Sequence, residues 1–156
     1  MSCKITSATA TLFFSFCCVS AHAALHCSAS ATSVAFGTFP SPNPANVDST
    51  GTISIECKGL GNGGASYTIA LNMGSGNSFN PRKMTSGSNI LQYNLYSDSS
   101  RSVIWGDGTS GTSIVSDTIN DRGSATTNYI VYGRVHANQN VPPGNYSDII
   151  TVTVSY

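Results

Sequence analysis

The sequence predicts an all-β protein built as an antiparallel β-sandwich. Three observations carry that expectation. Short apolar or alternating runs recur along the chain and are separated by turn residues. No stretch beyond the N-terminal segment shows the 3.6-residue period of an amphipathic helix. Charged residues make up only 9% of the chain, against about 25% in an average soluble domain, while 40% are hydrophobic, enough for one core. The net charge of +0 gives no electrostatic reason to expect nucleic acid or an anionic membrane as partner.

The first segment reads as a signal peptide, residues 1–23. Lys4 supplies the positive start, "TLFFSFCCVS" (Thr11 to Ser20) the apolar stretch, and "AHA" (Ala21 to Ala23) the small-x-small cleavage pattern. The apolar run is too short to span a bilayer, so the mature domain, residues 24–156, is expected without a membrane span. Cys3, Cys17 and Cys18 leave with the leader, and Cys27 and Cys57 remain. Two cysteines in an exported chain predict one disulfide, worth about 3–4 kcal/mol for a loop of this length. Without a histidine cluster they do not make a zinc site.

The strands follow in order. "SVAFGTF" (Ser33 to Phe39) is expected as the first, and "PSPNPANVDSTG" (Pro40 to Gly51) as a surface loop. "TISIEC" (Thr52 to Cys57) alternates, with Ile53, Ile55 and Cys57 on one side, so the disulfide would staple it to the first strand. "KGLGNGGA" is a turn, and "SYTIALNMG" (Ser66 to Gly74) alternates again through Tyr67, Ile69, Leu71 and Met73. "ILQYNLYSD" (Ile90 to Asp98) puts Leu91, Tyr93 and Leu95 on one face. "VIWGDGTSG" (Val103 to Gly111) runs a short strand into a Gly-rich turn. Thr112–Asn120 and Thr127–Val135 are further strands, "NVPPGNY" (Asn140 to Tyr146) is a sharp turn, and the last strand lies in "SDIITVTVSY" (Ser147 to Tyr156). There Ile150, Val152, Val154 and Tyr156 share one side, and Thr151, Thr153 and Ser155 the other. A strand pattern running to the last residue is expected to have a use for that strand.

Little of the sequence reads as chemistry. His26 and His136 lie in no nucleophile or metal motif, and Asp107, Asp117, Asp121 and Asp148 are scattered. "WGDG" is read as a turn rather than a calcium loop, and Trp105 as a packing residue rather than a stacking platform for a ligand. No catalytic residue, metal ligand or cofactor site is assigned, and the chain is not read as an enzyme.

The ordered pieces nonetheless resemble one family. Cys27 is followed by "VAFGTF", then "GTISIEC", "YTIALNMG", "RKM" (Arg82 to Met84), "LQYNLYSD", "WGDG", "YGRV" (Tyr132 to Val135) and "PGNYSDIITVTVSY". In this order they are similar to the spore coat protein U domain, which also makes the subunits of archaic chaperone–usher pili of Gram-negative bacteria. The resemblance implies an immunoglobulin-like β-sandwich lacking one strand. A periplasmic chaperone would lend a strand, and an outer-membrane usher would exchange it for one from the next pilin subunit. The final strand, with Ile150, Val152, Val154 and Tyr156, would border the gap. The expected function is therefore a secreted structural subunit of an adhesive pilus, carried through the periplasm to the cell surface. The alternative is a spore-coat or surface-matrix protein of the same fold. Polymerising subunits of the family carry a donor segment before the first cysteine. Cleavage after Ala23 would leave only "ALH" there, so this chain is expected to accept a strand rather than donate one.

Overall fold

The computed structural model describes residues 24–42, 44–61 and 63–156. The predicted leader, with Cys3, Cys17 and Cys18, lies outside them. The strands are β1 (His26–Ala31), β2 (Val47–Leu60), β3 (Ala65–Leu71), β4 (Arg82–Ser86), β5 (Asn89–Tyr96), β6 (Val115–Ile119), β7 (Gly123–Val135) and β8 (Val152–Ser155). Five form one sheet in the order β1-β2-β7-β5-β4, and three form a second in the order β6-β3-β8. Every strand pairing is antiparallel.

Alternation explains the core between the sheets. Ile53, Ile55 and Cys57 of β2 are buried, as are Tyr67, Ile69 and Leu71 of β3, Leu91, Tyr93 and Leu95 of β5, and Val131 and Val135 of β7. Each large aliphatic side chain removed from water contributes about 1.5–3 kcal/mol. β2 and β7 form the spine, paired from Val47↔Val135 to Lys58↔Ser124, with a register shift before Leu60. β2 therefore begins at Val47, inside the segment expected to be loop.

Cys27 and Cys57 are directly opposed across β1 and β2 and form a disulfide. The strand carrying Cys27 is β1, not "SVAFGTF". That is a correction to the expected first strand. β1 reads HCSASA, whose small residues carry no apolar alternation. Residues 32–39 belong to no strand. They leave the end of β1 and cross the inner face of the five-stranded sheet as a strap.

The strap fits because the sheet is hollowed beneath it. Gly51 and Gly133 lie diagonally on adjacent strands, since Gly51 pairs with Val131 and Ser49 with Gly133. A Cβ on Gly133 would sit 2.5 Å from Val34 Cγ1 and 2.8 Å from Phe36 Cζ, and one on Gly51 would sit 2.9 Å from Val34 Cγ2. Any side chain at either position would collide with the strap. Phe36 also meets the Tyr93 ring edge-on, with centroids 6.1 Å apart. The strap is tied down by Thr32 N donating to Thr52 O (2.9 Å), Thr52 N donating to Thr32 Oγ1 (2.8 Å) and Ser49 Oγ donating to Ala35 O (2.6 Å).

Trp105 is 1% exposed and its Nε1 donates to Ile69 O at 3.0 Å. It packs in the core. Beside it lies Arg82, fully buried. Its guanidinium donates to Asn72 O, Trp105 O and Asn94 Oδ1 at 2.7–3.2 Å and stacks over Phe79. These bonds satisfy a buried cation with backbone carbonyls and lock the β3–β4 connection to the loop after β5. Met73, expected inside, lies beyond the end of β3 and is 37% exposed.

Candidate functional site

An apolar trough of about 390 Å³ opens between the strap and the last segment of the chain. Its floor is Ile53, Leu71, Tyr93, Leu95 and Val131. One wall is Ala31 to Val34 with Phe36, and the other is Ser147, Asp148, Ile150 and Val152. A second hollow, lined by the strap and Val141 to Tyr146, shares Val34, Phe36, Met84 and Tyr146 with the trough and continues it.

The wall at the chain end is held from one side only. Ser147 exchanges backbone hydrogen bonds with Thr85 at 2.9 and 3.1 Å. Asn72 then clamps Thr151, its N donating to Thr151 O (3.1 Å) and its Oδ1 accepting from Thr151 N (3.0 Å). β8 pairs with β3 from Leu71↔Val152 to Thr68↔Ser155 and ends its sheet. Among the described residues no strand pairs with its other edge, and none pairs with the strap. The open edge of β8 and the strap thus border the same apolar floor.

The residues singled out in the final segment divide along it. Ile150 and Val152 line the trough, and Val154 packs against the core farther along. Thr151, Thr153 and Ser155 are exposed. Tyr156 lies past the end of β8, 53% exposed, beside Ser66, Thr68 and Thr118 rather than in the trough.

Asp148 is the one carboxylate lining the trough. Its Oδ2 accepts from Tyr93 OH at 2.7 Å, and its Oδ1 accepts from Ser75 N and Ile149 N, each at 2.8 Å. Burial, then the bond to Asp148, pushes the Tyr93 phenol far above its usual range, so Tyr93 acts as a fixed neutral donor. The sequence pattern gave no sign of this pair, because Asp148 follows a turn and its partner lies distant in the chain.

Elsewhere the described residues offer little chemistry. His26 and His136 lie at opposite ends of the β2–β7 spine. Asp107 accepts from Thr109 N and Oγ1 in an exposed turn. Among the described residues no group of three or more His, Cys, Asp or Glu side chains is placed to hold a metal ion, and no helix is long and apolar enough to cross a membrane.

Together the two-sheet antiparallel architecture and the unfilled trough define an incomplete immunoglobulin-like sandwich. Residues 3–153 match the Spore Coat Protein U domain, and the chain belongs to that family. Among solved structures it is similar to a chain of the CsuC–CsuE chaperone–tip adhesion subunit pre-assembly complex from the archaic chaperone–usher Csu pili of Acinetobacter baumannii. The identity is 29% and the TM-score 0.59, over 85% of this chain and 40% of that one. The protein therefore spans well under half the length of that solved chain. It is also similar, at 18% identity and a TM-score of 0.41, to the minor tip subunit HdaB of the E. coli Hda pilus, covering 80% of this chain and 79% of that one. No curated protein matches it.

Proposed function

We propose that the protein is a structural subunit of an archaic chaperone–usher pilus, and that its trough accepts an extended strand. A periplasmic chaperone supplies that strand first, and a neighbouring subunit replaces it when an outer-membrane usher adds the protein to a fibre at the cell surface. The observation that carries this reading is the strap, which belongs to no strand, and the unpaired edge of β8, on either side of an apolar floor. An incoming strand can hydrogen-bond at its edges while its alternate side chains fill the trough, which is recognition by strand addition. Family membership and the likeness to a chain of a chaperone–subunit complex support the same reading. Left unfilled, an apolar trough beside an open strand edge invites aggregation, so such a subunit needs an escort.

Co-expression with an archaic periplasmic chaperone tests this. The expected result is a soluble 1:1 complex, and aggregation or rapid proteolysis of the protein expressed alone. A protease-resistant monomer that ignores the chaperone contradicts the reading and favours a self-sufficient coat or surface-matrix domain.

A further inference from the structure

We propose that Asp148 sets the register of the strand in the trough. The occupant is an extended polypeptide segment whose inward side chains are apolar except for one hydrogen-bond donor, a Lys, Arg, Ser or Thr facing the Asp148 carboxylate. The inference rests on the trough's being a strand-accepting site.

An apolar seam specifies which side of a strand faces inward but not its register. Val34, Phe36, Ile53, Leu71, Leu95 and Val152 line the trough. They dictate which side of an incoming strand faces inward, because a one-residue slip turns its apolar set to water. A two-residue slip only exchanges one apolar side chain for another, so the floor leaves register loose. A single polar group in such a seam removes that freedom, as one polar position does in a coiled coil.

Asp148 has the properties this requires. A carboxylate offers about four lone-pair sites. Two on Oδ1 are taken by the amides of Ser75 and Ile149, and one on Oδ2 by Tyr93 OH. By that count one site on Oδ2 is left over, on a side chain that lines the trough. The side chain cannot turn away from an occupant, because two backbone amides clamp it and Gly74 abuts it so closely that a Cβ there would overlap the carboxylate. A strand entering the trough strips water from the open site. In the correct register a donor replaces that water with a charge-assisted bond. In a slipped register an apolar side chain leaves a desolvated carboxylate under-satisfied. If Asp148 served only to pin the Gly74–Ser75 turn and Tyr93 to the final segment, its three present bonds would suffice, and the occupant's sequence at that point would not matter.

Host peptides of about ten residues, alternating valine and serine, separate these cases. One inward valine is replaced by lysine or threonine at each position in turn, and each labelled peptide is titrated by fluorescence anisotropy against the full chain released from its chaperone complex by denaturant and refolded at low concentration in the peptide's presence. The expected profile has a single inward position at which the donor tightens binding about ten- to a hundredfold over the others. D148N should flatten that profile to within about threefold, whereas Y93F, which keeps the carboxylate, should preserve it. The wild-type profile suffices if D148N folds poorly. Binding that is equally tight at every position, or a preference that survives D148N, overturns the inference and leaves the strand-accepting site standing. Failure of every peptide to bind overturns the site itself, and the register proposal with it.

Discussion

β1 and β8 each end a sheet, but they are finished differently. β1 pairs with β2 through six residues, from His26↔Lys58 to Ala31↔Ile53, and is bonded to it covalently through Cys27–Cys57. β8 pairs with β3 through four residues, Val152 to Ser155, and its other edge faces the trough. The stapled edge presents small side chains such as Ser28 and Ser30 to solvent, while the unstapled one turns Ile150 and Val152 toward an unfilled space. The covalent cross-link fixes one border of the trough, where Ala31 ends β1, and the unpaired edge lies on the other border, where the proposed strand would enter.

Removing the staple gives the largest expected effect. Cys57 is fully buried, and Cys57→Ser should cost about 2–5 kcal/mol and lower the yield of folded protein. Non-reducing mass spectrometry of the parent should show no free thiol at either position.

At the open edge, adjacent residues should respond oppositely. Val152→Lys places a charge against the apolar trough and should cost about 2–4 kcal/mol, with a sharp loss of chaperone-bound protein. Thr153→Lys, on the exposed side, should stay within about 0.5 kcal/mol. Equal tolerance of the two would mean that β8 does not present its faces as described.

The strap can be lifted without touching either edge. Gly133→Ala drives a methyl group into Val34 and Phe36 and should cost about 1–3 kcal/mol. Gly63→Ala, with nothing within 4 Å, is the control. Chemical denaturation should rank the two, and weaker strand binding by Gly133→Ala alone would show that the strap is a wall of the site.

The smallest effect is electrostatic. Hydrogen bonds from Arg134 Nε and Nη2 at 2.7 and 2.8 Å, with Arg101 nearby, hold Asp48 below its ordinary pKa. A carboxylate depressed in the folded state stabilises above its unfolded pKa and loses that contribution as pH falls through the folded value. Asp48→Asn should therefore cost up to about 1 kcal/mol at neutral pH, because the pair is partly exposed and screened. The gap should close progressively below about pH 4. Thermal melts across that range provide the check.

β2, β3, β5 and β7 were legible in the sequence because each alternates large apolar and polar residues. β1 was not, because its small side chains show no contrast, and β4 is too short to establish a period. The strap is the instructive failure. Val34 and Phe36 alternate with exposed neighbours just as in a strand, but alternation reports only which side is buried, not whether the backbone is paired. Here the burying surface is a glycine-lined sheet face rather than an adjacent strand, a relation between residues distant in the chain. For the same reason Ile150 and Val152 could be singled out from their pattern, while the opposite wall and the Tyr93–Asp148 pair could not.

The central claim is that strap and β8 form the two sides of a site for an added strand, and amide hydrogen exchange tests it most directly. Without a partner, free-edge amides in residues 149–154 and strap amides in residues 33–36 should exchange quickly, while the β2–β7 spine stays protected. Adding the chaperone or a binding host peptide should slow exchange in both segments together and leave the β2–β7 spine unchanged. Slow exchange in both segments before any partner is added, or binding that alters neither, would contradict the account.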